Sequence, residues 1–183
     1  ITDAEVVEGL LKEERPTHLL NFAAESHVDR SLFAARRFVR TNVEGTLCLL
    51  EAARGLRDKN GSDLRFLQVS TDEVYGDLPL GALGCTEEAS LRPSSPYSAS
   101  KAGGDFQVLA SVRTYGVNAS ITRGANTYGA RQYPEKFLPL FVTNAFDGEQ
   151  LPVYGDGRQR REGVAGSPER LGRLPRAQLS AVP

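Results

Sequence analysis

Leu64-Arg65-Phe66-Leu67-Gln68-Val69-Ser70 runs directly into Thr71-Asp72-Glu73-Val74-Tyr75-Gly76, and further on comes Ser95-Pro96-Tyr97-Ser98-Ala99-Ser100-Lys101. The first stretch reads as a short buried strand ending in a polar turn. A loop with the turn residues Pro79, Gly81 and Gly84 follows. A helix then opens at Ser94-Ser95-Pro96, where serine can cap and proline fits the first turn. In open α/β sheets ligands bind at the carboxyl ends of strands. The strand therefore delivers Thr71, Asp72 and Glu73 to that edge, and the helix start brings Tyr97 there too.

Working outward, Thr2 to Arg15 reads as a helix: Asp3 can cap it, and Val6, Val7, Leu10 and Leu11 recur at helical spacing. His18 to Ala24 reads as a strand, Phe38 to Leu56 as a second helix and Leu64 to Ser70 as a strand. Pro96 to Tyr115 reads as a helix, Ala119 to Gly124 as a strand, Lys136 to Phe146 as a helix and Leu151 to Tyr154 as a short strand. No internal repeat interrupts the series. Strict alternation predicts an α/β fold, a doubly wound parallel sheet with right-handed crossovers.

The chain has 183 residues, 40% apolar and 25% charged, enough for the core of one domain. A net charge of -1 without a basic cluster argues against nucleic acid or an anionic membrane as partner. No run of about 18 apolar residues and no charged-apolar-small leader is present, so the cytoplasm is the natural reading. Cys48 and Cys85 have neither metal-ligand spacing nor the count of a disulfide framework, and no metal site is expected. Cys48, within VEGTLCLLEAA, reads as a small core residue. The absence of methionine and a start at isoleucine predict an internal piece of a longer protein.

Tyr97 and Lys101 are four residues apart, so a helix puts phenol and ammonium on one face. An ammonium beside a phenol favours the phenolate and lowers its pKa toward working pH, as a general base requires. Asp72 and Glu73 add a carboxyl pair, and neighbouring carboxyls push their pKa values apart, leaving one as acid and one as base. Adjacent strand residues point to opposite faces, so both carboxyls reach one substrate only if the strand ends or bends there. Taken singly these signals are weak: Y-x-x-x-K arises by chance, and a D-E pair after a strand is usually a solvated turn. Their conjunction points to an enzyme that shuttles protons.

At these residues the chain resembles the extended short-chain dehydrogenase/reductase family, and within it the dTDP-glucose 4,6-dehydratases. The resemblance rests on FAAESHVDRS (22–31), TNVEGT (41–46), STDEVYG (70–76), SPYSASKA (95–102), RQYPEKF (131–137) and LPVYGDG (151–157). It runs from Ile1 to about Arg161. It implies a Rossmann-like sheet, a bound NAD, a dTDP-glucose substrate and a homodimer formed by the helix after TNVEGT and the Tyr97 helix. Tyr97 would take the proton of the sugar 4-hydroxyl as C4 loses hydride, and Lys101 would keep Tyr97 ionised and touch the cofactor ribose. Glu73 would remove the C5 proton, Asp72 would protonate the departing 6-hydroxyl, and Thr71 would hydrogen-bond near O4.

By the same resemblance Phe22, Ala23, Ala24, Ser26, Thr41 and Thr127 fall at cofactor positions, with Ser26 also reaching substrate. Asn126, Lys136, Phe137, Pro152, Val153, Tyr154 and Arg161 fall at nucleotide-sugar positions, the arginine suiting a diphosphate. His27 is expected to shape the loop carrying Ser26 rather than to act as a base, and Tyr75 and Tyr128 to pack or bind. Thr127 stands where the family commonly has asparagine, and Gly124-Ala125 where it has Cys-Ser. Nucleotide-sugar 4-epimerases and decarboxylases share Tyr and Lys but do not need the carboxyl pair.

The expected organisation is a partial NAD-binding domain over 1–150, the start of a nucleotide-sugar region over 151–161, and a disordered or frameshifted tail over 162–183. No G-x-x-G-x-x-G phosphate loop occurs in these residues. The family places that loop and its strand ahead of the first helix, so this chain by itself is expected to bind NAD poorly and to be inactive, a non-catalytic fragment as it stands.

Overall fold

Asp3 accepts a hydrogen bond from the Val6 amide at 3.1 Å and starts helix α1 (Ala4–Glu14) as its sequence predicts. This computed structural model describes residues 1–61, 64–79, 82, 84–153, 163–165 and 180–181. Three parallel strands lie side by side in chain order: β1 (His18–Asn21), β2 (Arg65–Thr71) and β3 (Ala119–Gly124). The register pairs His18 with Arg65 and Asn21 with Gln68, then Phe66 with Ala119 and Thr71 with Gly124.

Parallel neighbours need long crossovers, and helices supply them. Between β1 and β2 run α2 (Val28–Val39), a π-helical turn (Arg40–Glu44) and α3 (Gly45–Asn60). Between β2 and β3 run a 3-10 turn (Asp72–Tyr75) and α4 (Pro96–Tyr115). The core forms where Val7 and Leu11 of α1 and Leu49, Leu50, Ala53 and Leu56 of α3 meet Phe66, Val108 and Ile121. Each large side chain buried there contributes about 1.5–3 kcal/mol. Cys48 joins this core, as expected.

The chain divides after Gly124. One unit holds Ile1–Gly124 with β6 (Ser180–Ala181), which pairs antiparallel with β3; the other begins at Ala125. In the second unit β4 (Asn126–Tyr128) pairs in parallel with β5 (Gly163–Ala165). There α5 (Phe137–Asp147) ends at Gly148, whose left-handed φ of 69° suits glycine.

Several elements differ from their expected spans. β1 stops at Asn21, whose side-chain oxygen takes the Ala23 amide at 3.1 Å and draws the following backbone out of the ladder. The helix expected from Phe38 follows a break at Ala34 (φ -136°), which separates it from a further helical segment starting at Val28, and it passes through the π-helical turn before α3. Three arginines and Asp29 in α2 obscure its apolar period. Leu151–Val153 form no strand, and Tyr154, the fourth residue of that expectation, lies outside the described residues. β4, three residues long, is too short to show a period. Of the tail expected to be disordered, Gly163–Ala165 and Ser180–Ala181 pair as strands; the remaining residues from Glu162 onward lie outside the described ones.

Candidate active site

At Thr71 the strand gives way to a turn. The Thr71 hydroxyl accepts from the Glu73 amide at 3.2 Å, capping the 3-10 turn, and donates to Asp72 at 3.1 Å. This break meets the geometric condition set by the sequence: Asp72 and Glu73, which a continuing strand would send to opposite faces, both act on the phenol of Tyr97. Gly76 closes the turn at φ 80°, and a side chain there would collide with the Arg92 carbonyl. The Arg92 amide in turn donates to Val74 at 3.0 Å, tying the loop back.

Tyr97 sits in the first turn of α4. Ser95 and Ser98 form a reciprocal capping box, each side chain accepting the other's amide at 3.0 Å, with Pro96 in the first turn. The ring stands edge-on to Phe38 at 6.3 Å between centroids. Burial first, then the charge of Glu73 and to a smaller extent Asp72, push the phenol up to about 12 against the relief of the Thr71 hydroxyl.

The expected lowering of this phenol by Lys101 is not found in this structure. Lys101 lies on the same helix one turn on, but its ammonium donates to the Val69 carbonyl at 2.6 Å. Burial holds the ammonium below its ordinary pKa, with the carboxylate of Asp105 opposing.

Beneath Tyr97 a buried network joins three segments. Ser100 donates to the Tyr97 carbonyl at 2.7 Å and accepts from Asn42 at 2.8 Å. Asn42, on the π-helical turn, also exchanges hydrogen bonds with the Glu25 backbone at 2.9 and 3.0 Å. The loop after β1 is thereby fixed to α4. His27 lies in that loop at φ 83° and accepts the Ser31 amide at 3.2 Å, in keeping with a loop-shaping role.

Phe22, Ala23, Ala24 and Ser26 are exposed beyond the carboxyl end of β1, and Thr41 is half-buried on the π-helical turn. The first four follow the carboxyl end of β1, the parallel neighbour of the strand that ends at Thr71. The second unit holds Asn126 and Thr127, exposed on β4, with Lys136 and Phe137 exposed at the start of α5. Pro152 is half-buried and Val153 exposed; Tyr154 and Arg161 lie outside the described residues. The structure thus brings Thr71, Asp72, Glu73 and Tyr97 together, with Lys101 facing Val69.

Asn42, Ser100, Asp105 and Arg123 escaped the sequence reading. Two of them carried a signal: Asp105 is four residues past Lys101, and Arg123 is a charge inside an apolar strand pattern.

A family model described as GDP-mannose 4,6 dehydratase matches residues 1–165. The chain belongs to that family. A dTDP-glucose 4,6-dehydratase of Haemophilus influenzae is 47% identical over 166 residues, covering 88% of this chain and 49% of the relative. A dTDP-glucose 4,6-dehydratase from Streptomyces venezuelae, solved with NAD bound, is 48% identical with a TM-score of 0.80, over 90% of this chain and 48% of that one. A UDP-glucose 4-epimerase from Thermus thermophilus, in complex with NAD, is 31% identical with a TM-score of 0.81, over 90% and 54%. The chain spans about half the length of the curated relatives it matches. Its parallel sheet with helical crossovers is the Rossmann-like α/β fold that the resemblance implied.

Proposed function

We propose that this chain carries the proton-handling residues of an NAD-dependent dTDP-glucose 4,6-dehydratase. The observation that carries the reading is the convergence of two carboxyl groups, Asp72 and Glu73, on the phenol of Tyr97. Oxidation at C4 needs one base, and elimination of water across C5 and C6 needs a second base and an acid. Tyr97 takes the proton of the sugar 4-hydroxyl, while Thr71 holds that region of the sugar. Glu73 removes the C5 proton, acidified once C4 is a ketone, and Asp72 donates to the leaving 6-hydroxyl.

The exposed residues Phe22, Ala23, Ala24 and Ser26, with half-buried Thr41, would contact the ribose and nicotinamide end of a dinucleotide. No glycine-rich phosphate loop for the pyrophosphate occurs in the 183 residues. NAD, when bound, supplies hydride acceptance from C4 and hydride return to C6. Asn126, Lys136, Phe137, Pro152 and Val153, with Thr127 toward the cofactor, belong to the same proposal as contacts of the second unit. So do Tyr154 and Arg161.

A homodimer through α3 and α4 is proposed with it. Phe106 on α4 is 55% exposed, an apolar side chain that a second copy would cover. A cytoplasmic location is proposed as well; no helix among the described residues is long and apolar enough to cross a membrane.

The second reading is a nucleotide-sugar 4-epimerase, favoured by the likeness to the Thermus enzyme. It leaves the carboxyl pair without a task. The two are separated by incubating the protein, expressed from its complete reading frame, with dTDP-glucose and NAD, and weighing the product. The dehydratase yields a sugar lighter by one water, lost in Tyr97→Phe. A product of unchanged mass supports the epimerase and overturns the proposal.

A further inference from the structure

Asp105 lies one helical turn beyond Lys101 on α4 and is fully buried, and the proton chemistry above gives it no role. A carboxylate without solvent is strongly destabilising unless it is paired. Its Oδ2 accepts from Arg123 Nε at 2.8 Å, from the neighbouring strand β3. The same guanidinium continues outward. Its Nη1 donates to the Tyr75 hydroxyl at 3.0 Å and to the Glu87 carbonyl at 3.3 Å. Tyr75 closes the 3-10 turn that bears Asp72 and Glu73, so Arg123 links that turn to α4.

The buried Ser70 hydroxyl lies beside the same carboxyl and, as a hydrogen-bonding neighbour, offsets part of the rise in its pKa that burial causes. Ser70 follows Val69, whose carbonyl receives the Lys101 ammonium. On α4 the Asp105 carboxylate thus holds the Arg123 guanidinium by a hydrogen bond, and its charge opposes the burial of the Lys101 ammonium one helical turn before it.

The groups acting on the Asp105 carboxyl are Arg123 from β3, Ser70 from β2 and Lys101 from α4 itself, and Tyr75 of the turn after β2 meets the outer side of Arg123. Asp105 is the group whose charge acts on the Lys101 ammonium.

We propose that Asp105 and Arg123 are positioning residues for the Tyr97–Lys101 couple: the carboxylate holds the Lys101 ammonium charged at Val69, and Arg123 ties the turn of Asp72 and Glu73 to that carboxylate. The proposal rests on reading Tyr97 and Lys101 as the proton-handling pair. Burial pulls the Lys101 ammonium below its ordinary range, and Asp105 opposes that pull. Removing the carboxylate should therefore deepen the depression.

The test is a titration of the full chain labelled with 13C at lysine, whose four lysines are Lys12, Lys59, Lys101 and Lys136. The Lys101 resonance is assigned by its loss in Lys101→Arg. In Asp105→Asn it should titrate at lower pH than in the unsubstituted chain. A mere loosening of the fold would admit water and move it the other way. An unchanged or raised value overturns the proposal.

Should Asp105→Asn fail to fold, coupling between sites is reciprocal. In Lys101→Gln, labelled at aspartate, Asp105 should then titrate at higher pH, and an unchanged value overturns the proposal equally. The tie to the turn is read by amide exchange at Val74, Tyr75 and Gly76. Exchange should quicken in Arg123→Gln and be partly restored in Arg123→Lys; no change in Arg123→Gln overturns that part. None of these readouts uses sugar turnover, so a protein that showed them but eliminated no water would refute the proposed function and leave this pair intact.

Discussion

The Lys101 ammonium donates to the Val69 carbonyl at 2.6 Å and not to the phenol of Tyr97, one turn before it on the same helix. The four-residue spacing does place both side chains on one face. What the spacing cannot specify is which acceptor the ammonium takes. Val69, at the buried end of β2, offers a carbonyl, and burial makes any unmet donor expensive. The acidity of Tyr97 is consequently set by its burial and by Glu73.

That phenol should appear in the pH dependence of stability. Its pKa is about 12 in the fold against 10.0 ordinarily. The unfolded chain loses this proton near the ordinary value, while the folded chain keeps it. The stabilisation is fully present below the ordinary value and lost as pH rises through the folded one. At about 1.4 kcal/mol per unit, discounted for residual solvent, the loss is up to about 2 kcal/mol. Urea unfolding from about pH 9 to about pH 12 should show a steeper decline for the unsubstituted chain than for Tyr97→Phe. Parallel curves would refute the assignment.

Gly103 and Gly104 let α4 approach the segment beneath it. A Cβ on Gly104 would lie 2.6 Å from the Asn42 carbonyl oxygen and 3.3 Å from the Thr46 hydroxyl. One on Gly103 would meet Val43 Cγ2 at 2.8 Å, the movable end of a side chain. Alanine gains about 1 kcal/mol over glycine in a helix interior, whereas overpacking costs about 1–3 kcal/mol. Gly104→Ala, whose clash is with backbone, should therefore destabilise by up to about 2 kcal/mol net, and Gly103→Ala by clearly less. Equal melting shifts for the two would show that the Asn42 backbone yields freely.

The capping box gives a local test of how Tyr97 is held. Ser95→Ala removes the acceptor of the Ser98 amide and should cost about 1 kcal/mol. A double-mutant cycle with Ser98→Ala should show coupling, because the two hydroxyls also meet each other at 2.9 Å. Additive losses would mean that the two caps act independently.

Much of this arrangement was legible in the residues. Pro96–Tyr115 and Ala119–Gly124 match their expected spans, because a serine-proline start, a glycine stop and an apolar run are strong local signals. Thr71, Asp72 and Glu73 were placed at the strand edge for the same reason. The π-helical turn, β4 and the direction of the Lys101 ammonium were not legible. Each depends on partners distant in sequence: Glu25 and Ser100 for Asn42, Gly163–Ala165 for β4, and Val69 for Lys101. Asp105 and Arg123 drew no reading of their own, because only the fold brings the buried carboxylate against the guanidinium.

Glu73 joins electrostatics to the proposed reaction, and one substitution tests both. Its charge is the largest electrostatic cause of the raised Tyr97 pKa, so in Glu73→Gln the phenol should ionise at lower pH, visible by ultraviolet titration against Tyr97→Phe. If Glu73 is the base at C5, the same variant should fail to exchange the C5 hydrogen with deuterated solvent once C4 is oxidised. The 4-ketone should then accumulate while dehydrated product falls by about 10²–10⁴-fold, the usual contribution of a positioned base. Asp72→Asn should differ: C5 exchange persists because its base remains, while loss of the 6-hydroxyl slows. If C5 exchange survived in Glu73→Gln and disappeared in Asp72→Asn, the two carboxyls would have to trade roles. If it survived in both, neither would be the base.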